Sequence, residues 1–353
     1  MKTLILYCRA GFEGECAAEI QAQAAQAGMA GYCRAVAGNA YVEFAVYDGD
    51  AAELLRRVPF AGLIFARQMF AARRVEALPP TDRIGPLLAA LGEVAVGEVW
   101  VETADTNAAK ELQVLCRKLA TPLTAELRRR GWLREGGAGL PRLHVFFLDT
   151  ATAWIGWSLP ENSAPWYMGI PRLKFPAGAP SRSTLKLEEA LLTFLDAGAR
   201  ERRLQPAMRA VDLGAAPGGW TWQLVQRHLR VVAVDNGPMD QALLDSGLVE
   251  HRREDGFRYK PAKAVDWMVC DMVEQPVRIA RLVADWLAQG WCRECIFNLK
   301  LPMKKRYLEV QHCAEIIDER LAKAGLRYTL RFKQLYHDRE EVTGHLALLP
   351  DHR

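Results

Sequence analysis

Apolar positions in the first half of the chain switch repeatedly between the two-residue period of a strand and the wider period of a helix. On that pattern, residues 4–8, 40–46 and 65–70 read as strands, and 13–27 and 49–57 as helices. A further helix is predicted at 82–91 and an alternating strand at 98–103. A long amphipathic helix at 110–130 ends in Arg128-Arg129-Arg130-Gly131, cations and a glycine where a helix terminus favours them. Residues 144–148 and 153–158 then form a strand pair. Short strands and helices mixed in this way indicate an α+β region, divided into a leader at 1–60 and a second unit at 61–158.

The texture changes at residues 159–180, where Pro160, Pro165, Pro171, Pro176 and Pro180 interrupt any continuous helix or central strand. This stretch reads as an interdomain linker. Regular alternation follows over 181–353. Helices are predicted at 184–199, 220–228, 276–289 and 307–324, and strands at 209–213, 231–234, 267–270 and 295–298. Residues 328–336 and 342–349 read as a hairpin closing one edge. The whole is an α/β arrangement, a doubly wound parallel sheet.

Composition narrows the picture only a little. The 353 residues leave room for two or three domains. A net charge of +4 does not by itself demand a nucleic-acid partner, although it permits a local basic face. No apolar run is long enough to span a bilayer, and the N-terminus lacks a signal-peptide core. The eight cysteines are scattered, as expected of reduced thiols in a cytoplasmic protein. Cys292 and Cys295 have C-x-x-C spacing, but without a second Cys or His pair they read as structural, and no metal is expected.

Candidate chemistry begins at Val211-Asp212-Leu213, the end of a predicted strand, and the glycine turn that follows it. Open α/β sheets bind ligands there, and glycines let the backbone approach closely. The glycines stand at 214, 218 and 219 around Pro217, so the dinucleotide pattern G-x-G-x-x-G is absent. S-adenosylmethionine fits better, because it needs a close turn and no phosphate cradle. An acid about twenty positions on commonly takes ribose hydroxyls. Asp235 stands at that place, and Asp255 follows the next unit, where it could accept from an adenine amino group. The candidate cofactor residues are Ser183, Gly214, Ala216, Pro217, Gly218, Gly219, Trp220, Asp235, Asp255 and Asp271.

The run Asp212-Leu213-Gly214-Ala215-Ala216-Pro217-Gly218-Gly219-Trp220-Thr221 resembles the motif of the FtsJ-like ribose 2′-O-methyltransferases. The resemblance implies a Rossmann-like class I methyltransferase domain and a Lys-Asp-Lys-Glu tetrad. Its members here are Lys186, Asp271, Lys300 and Glu341, with Glu340 the alternative to the last. A ribose hydroxyl is a poor nucleophile until its proton is taken. Lys300 is the expected general base, its pKa lowered by Lys186, with Asp271 holding the ammonium and Glu341 orienting its partners. Other methyl acceptors fit less well. Asp271-Met272-Val273-Glu274 is not the Asn-Pro-Pro-aromatic motif of amino-group methylation, and Cys270 should face away from the site because strand residues alternate.

The layout as a whole resembles bacterial 23S rRNA cytidine 2′-O-methyltransferases, in which a leader and a THUMP-like RNA-binding unit precede the catalytic domain. Arg9-Ala10-Gly11-Phe12-Glu13, Pro165-Trp166 and Tyr336-His337-Asp338-Arg339-Glu340-Glu341-Val342-Thr343 carry that likeness. It implies a monomeric cytoplasmic enzyme acting on naked or partly assembled 23S rRNA. Arg128, Arg129, Arg130 and Arg134 around Trp132, and Lys304, Lys305 and Arg306 beside Lys300, are the expected phosphate-gripping clusters. The competing expectations are a non-catalytic RNA-binding or ribosome-assembly factor on the same fold, and an enzyme acting on another RNA.

Overall fold

In the computed structural model, which describes residues 1–137 and 139–349, the chain divides into two units, Met1–Pro171 and Arg172–Arg353. The first contains β1 (Thr3–Tyr7), α1 (Glu13–Gln26), β2 (Gly31–Ala35), β3 (Tyr41–Val46) and α2 (Ala51–Arg57). It continues with β4 (Gln68–Val75), α3 (Ile84–Leu91), β5 (Glu98–Thr103), α4 (Leu112–Arg129), β6 (Arg142–Phe147) and β7 (Ala153–Ser158). Its strands form one seven-stranded sheet in the order β2-β3-β1-β4-β7-β6-β5. The boundary expected near residue 60 does not interrupt this sheet, because β4 pairs with β1 on one side and β7 on the other.

The division between the two units, at residues 171 and 172, falls inside the proline-rich stretch expected as a linker, but the part before it is folded. That part folds onto the first unit through two 3-10 turns, Pro160–Asn162 and Tyr167–Gly169. The Asn162 amide donates to Leu55 O at 2.7 Å and Val58 O at 2.9 Å, and its carbonyl accepts from Phe60 N at 2.7 Å. Met168 N donates to the buried Glu102 carboxylate at 2.6 Å. Prolines that forbid regular structure here fix turns, and side chains satisfy the backbone groups that the turns leave unpaired.

The second unit holds α5 (Thr184–Phe194), α6 (Ala197–Arg203), β8 (Arg209–Leu213), α7 (Gly219–Val225), β9 (Arg230–Val234) and α8 (Gln241–Asp245). Then come β10 (Val249–Arg252), β11 (Val265–Cys270), α9 (Pro276–Ala288), β12 (Cys292–Lys300), α10 (Arg306–Lys323), β13 (Tyr328–Lys333) and β14 (Glu341–Leu348). The helix expected over 184–199 is two helices, because the Asp196 side chain caps the second by accepting from Ala199 N at 2.7 Å.

The sheet order is β10-β9-β8-β11-β12-β14-β13. Strands β8 to β12 are parallel, as the strand–helix alternation predicts. The closing hairpin is antiparallel, and its second strand, β14, lies directly against β12. The core beneath the sheet gathers Trp220, Trp267, Leu191, Leu224 and Ile296, with Trp267 only 1% exposed. Trp267 also donates its ring N–H to Arg203 O at 2.6 Å, so its polar edge is satisfied inside the core.

Candidate active site

Strands β8 and β11 run parallel in a register that sets Cys270 beside Leu213, so the turns after both strands emerge at the same edge. Gly214 has φ +77°, and a Cβ there would lie 2.6 Å from Met272 Cγ and 3.2 Å from the Met272 backbone. Only glycine relieves both constraints. The turn thus lies close over the residue that follows Asp271. A cleft of about 420 Å³ opens there, lined by Gly214, Ala216, Asp235, Asp255, Asp271 and Met272 among others. Asp235 accepts from Ala216 N at 3.0 Å and Gly237 N at 2.7 Å. Asp255 accepts from Phe257 N at 2.9 Å. A carboxylate oxygen has a second lone pair, so both acids retain acceptor capacity toward ribose hydroxyls or an amino group. The cleft therefore fits an adenosine-bearing cofactor.

Five of the predicted cofactor residues, Ser183, Pro217, Gly218, Gly219 and Trp220, do not line this cleft. Trp220 lies in the core at 2% exposure. A Cβ at Gly218 would meet Leu243, and one at Gly219 would lie 2.1 Å from Ser183 Oγ. Asp212, absent from the sequence-based site list, is buried at the end of β8 and accepts from the Thr221 hydroxyl at 2.7 Å. Burial pushes its carboxyl up to about 7, against the Thr221 hydrogen bond and with the negative charge of Asp271 adding.

The structure brings Lys186, Asp271, Lys300 and Glu341 together. Lys186 comes from the first turn of α5, Asp271 directly follows β11, Lys300 ends β12, and Glu341 opens β14 opposite Lys300 in the antiparallel register. Lys300 Nζ donates to Asp271 Oδ1 at 2.8 Å and to Glu341 Oε2. Lys186 Nζ lies 3.4 Å from Asp271 Oδ2 and pairs with Glu341 Oε1. Glu340 is 65% exposed and pairs with Arg306 instead. Glu341 is the residue that pairs with Lys300 across β14 and β12, whereas Glu340 precedes the strand.

One expectation is overturned. Lys186 was expected to lower the Lys300 pKa. Burial does lower it, but the charges of Asp271 and Glu341 and their hydrogen bonds outweigh that, and the ammonium is pushed up to about 12. Two carboxylates interleave the two lysines, so Lys300 meets more negative than positive charge.

The basic clusters are less free than the sequence suggests. Arg128 pairs with Glu135, and Arg129 and Arg130 share Glu126. Arg130 also lies over the Trp132 ring, 5.2 Å from its centre. Exposed pairs of this kind are weak, so an RNA phosphate could compete for them. Lys304 and Lys305 are exposed beside Lys300, whereas Arg306 is engaged by Glu340. Cys270 is fully buried and its thiol is pushed up to about 12 by burial, which fits a core role. Cys292 and Cys295 are buried and free, and no cluster of metal-ligating side chains occurs among the described residues. No helix among them is long and apolar enough to cross a membrane.

Sequence reasoning also missed three residues behind the tetrad: Asn298, Thr343 and Asp338, all buried. The signal for Asn298 was available, since it precedes Lys300 by two strand positions and so shares its face.

The parallel sheet, the glycine turn over an acid-lined cleft and the four charged groups beside it define an S-adenosylmethionine-dependent methyltransferase fold. The model of the FtsJ-like methyltransferase domain matches residues 179–302. Models of the RlmM ferredoxin-like domain and of the ribosomal RNA large subunit methyltransferase M N-terminal region match residues 1–70 and 82–159. The protein of that name from Methylococcus capsulatus is 57% identical over 98% of this chain and 98% of its own. The one from Erwinia tasmaniensis is 54% identical over 98% of this chain and 96% of its own. The chain belongs to the ribosomal RNA large subunit methyltransferase M family. Among solved structures, TrmN from Thermus thermophilus is 16% identical with a TM-score of 0.37, over 99% of this chain and 100% of that one.

Proposed function

We propose that this protein transfers a methyl group from S-adenosylmethionine to the ribose 2′-hydroxyl of a cytidine in large-subunit (23S) ribosomal RNA, with Lys300 as general base. The observation that carries this reading is the ring of contacts joining Lys300 and Lys186 to Asp271 and Glu341, with Asp271 also lining the acid-walled cleft. The names of the relatives direct it to the large ribosomal subunit. We read residues 61–158 as a THUMP-like element that holds RNA, and the enzyme as a cytoplasmic monomer.

The cofactor supplies a methyl group already activated on a sulfonium, together with a fixed positive charge. Asp235 and Asp255 would hold its ribose and base, and the Gly214 turn its amino-acid tail. In the free site Lys300 is an ammonium, and a positive charge placed nearby eases the loss of its proton. Neutral Lys300 would then accept the proton of the ribose 2′-hydroxyl, which makes that oxygen a better nucleophile. Asp271 and Glu341 fix the lysine's position and stabilise the ammonium that re-forms. Lys186 balances the charge of the two acids.

The test is methyl transfer from labelled cofactor to ribosomal RNA from cells lacking this protein, followed by mapping of the modified nucleotide. A 2′-O-methylcytidine in 23S rRNA is the expected product. Label on a base, or on a different RNA, would overturn the assignment.

A further inference from the structure

Behind the tetrad, a line of buried polar groups runs from Asp338 through Thr343 and Asn298 to Asp271. The Thr343 hydroxyl lies 2.8 Å from Asn298 Oδ1 and 3.0 and 3.3 Å from the two Asp338 oxygens. The Asn298 amide nitrogen lies 2.8 Å from Asp271 Oδ1, the oxygen that also accepts from Lys300 at 2.8 Å. Asp338 Oδ2 accepts in addition from Leu335 N at 2.9 Å. Asn298 and Thr343 are completely buried and Asp338 nearly so.

A threonine hydroxyl has one proton to donate, and a carboxylate has none. If that proton goes to an ionised Asp338, the Thr343 and Asn298 oxygens face each other at 2.8 Å with no hydrogen between them. Turning the Asn298 amide over would relieve that contact. It would also set the amide oxygen against the Asp271 carboxylate, which pairs with both lysines. The line closes only if one carboxyl carries a proton, and the carboxyl away from the lysines is Asp338.

We propose that Asp338 is a neutral carboxylic acid and a positioning residue. It donates to Thr343, Thr343 donates to Asn298, and the Asn298 amide donates to Asp271, which aims Asp271 at Lys300. The environment favours this protonation state. Burial raises the Asp338 pKa well above the ordinary carboxylate range, the charges of Glu341 and Glu189 add to that, and Lys186 opposes it. Glu189 stands on the same helix as Lys186 and holds the turn before Asp338, accepting from Tyr336 N at 2.7 Å and His337 N at 2.9 Å. The role assigned to the line rests on Lys300 acting as base, whereas the protonation of Asp338 does not.

Two measurements separate these parts. An infrared difference spectrum of wild type against D338N at neutral pH should show a carboxylic-acid carbonyl band belonging to Asp338. The absence of that band would mean that Asp338 is ionised and would overturn the proposal. In methyl transfer, D338N can donate to Thr343 as the acid does and should exceed D338A in kcat by about tenfold. T343V should lose about ten- to a hundredfold in kcat with KM nearly unchanged, and T343S should recover most of it. A T343V variant that is folded and has wild-type kcat would show that the line does not position Asp271. Full activity in a Lys300 variant would overturn the base assignment and leave the infrared result standing.

Discussion

In the proposed reaction Lys300 is the residue on which the chemistry turns, and its resting state matters. Its ammonium is pushed up to about 12, so only a small fraction is neutral near pH 7. If neutral Lys300 takes the hydroxyl proton, kcat/KM for the cofactor, which reports the free site, should rise about tenfold per pH unit across the alkaline range below that value. A flat profile measured under single-turnover conditions would rule out Lys300 as the base. Asp338 carries a stability consequence of opposite origin. Its pKa is raised on folding, so the folded chain binds a proton that the unfolded chain releases above the ordinary carboxylate range. The associated stability is present at low pH and is lost as pH rises toward the folded value. The Tm of D338N relative to wild type should therefore climb between pH 4 and 7. A Tm difference independent of pH would contradict a protonated Asp338.

At the level of elements, the site depends on how strand ends meet. The sequence reading identified the strand before the glycine turn because apolar runs bounded by glycine or charge are local signals, whereas Lys300 was legible through the resemblance to the FtsJ-like tetrad. Residues Glu340 and Glu341 could not be separated that way. The choice depends on the pairing of β14 with β12, which sets Lys300 against Glu341, and pairing is a non-local property. The polar strand β10, Val-Glu-His-Arg, was illegible for a related reason, since its place comes from pairing with β9. Gly214 shows how tightly these ends meet. Gly214→Ala would strain a left-handed backbone and drive a methyl into Met272, displacing the turn beside Asp271. A strain of roughly 1–3 kcal/mol predicts cofactor binding weakened about tenfold or more, measurable by calorimetry. Unchanged affinity would show that the turn does not form the cofactor wall.

Across the molecule, each unit has a sheet of its own, and the sequence reading was least reliable about where one part ends. The first sheet runs continuously through residues expected to form two separate parts, because β4 is shared between β1 and β7. Composition could not reveal that, and the prolines of 159–180 suggested a linker where the first half is packed against β5 and α2. In the second unit the core and the site share elements: β11 carries Trp267 into the core and leads into Asp271. Trp267→Ala should cost about 3–5 kcal/mol of stability, seen as a lower denaturation midpoint. Loss of less than 1 kcal/mol would show that the core rearranges around the gap.

In the proposed mechanism Lys300 removes the ribose proton while the cofactor is held by other residues. Single-turnover methyl transfer by K300A, with cofactor affinity measured on the same preparation, tests it most directly. Transfer should fall by at least about a thousandfold, with affinity changed less than about threefold. Transfer within about tenfold of wild type, or cofactor affinity lost in step with transfer, would contradict it.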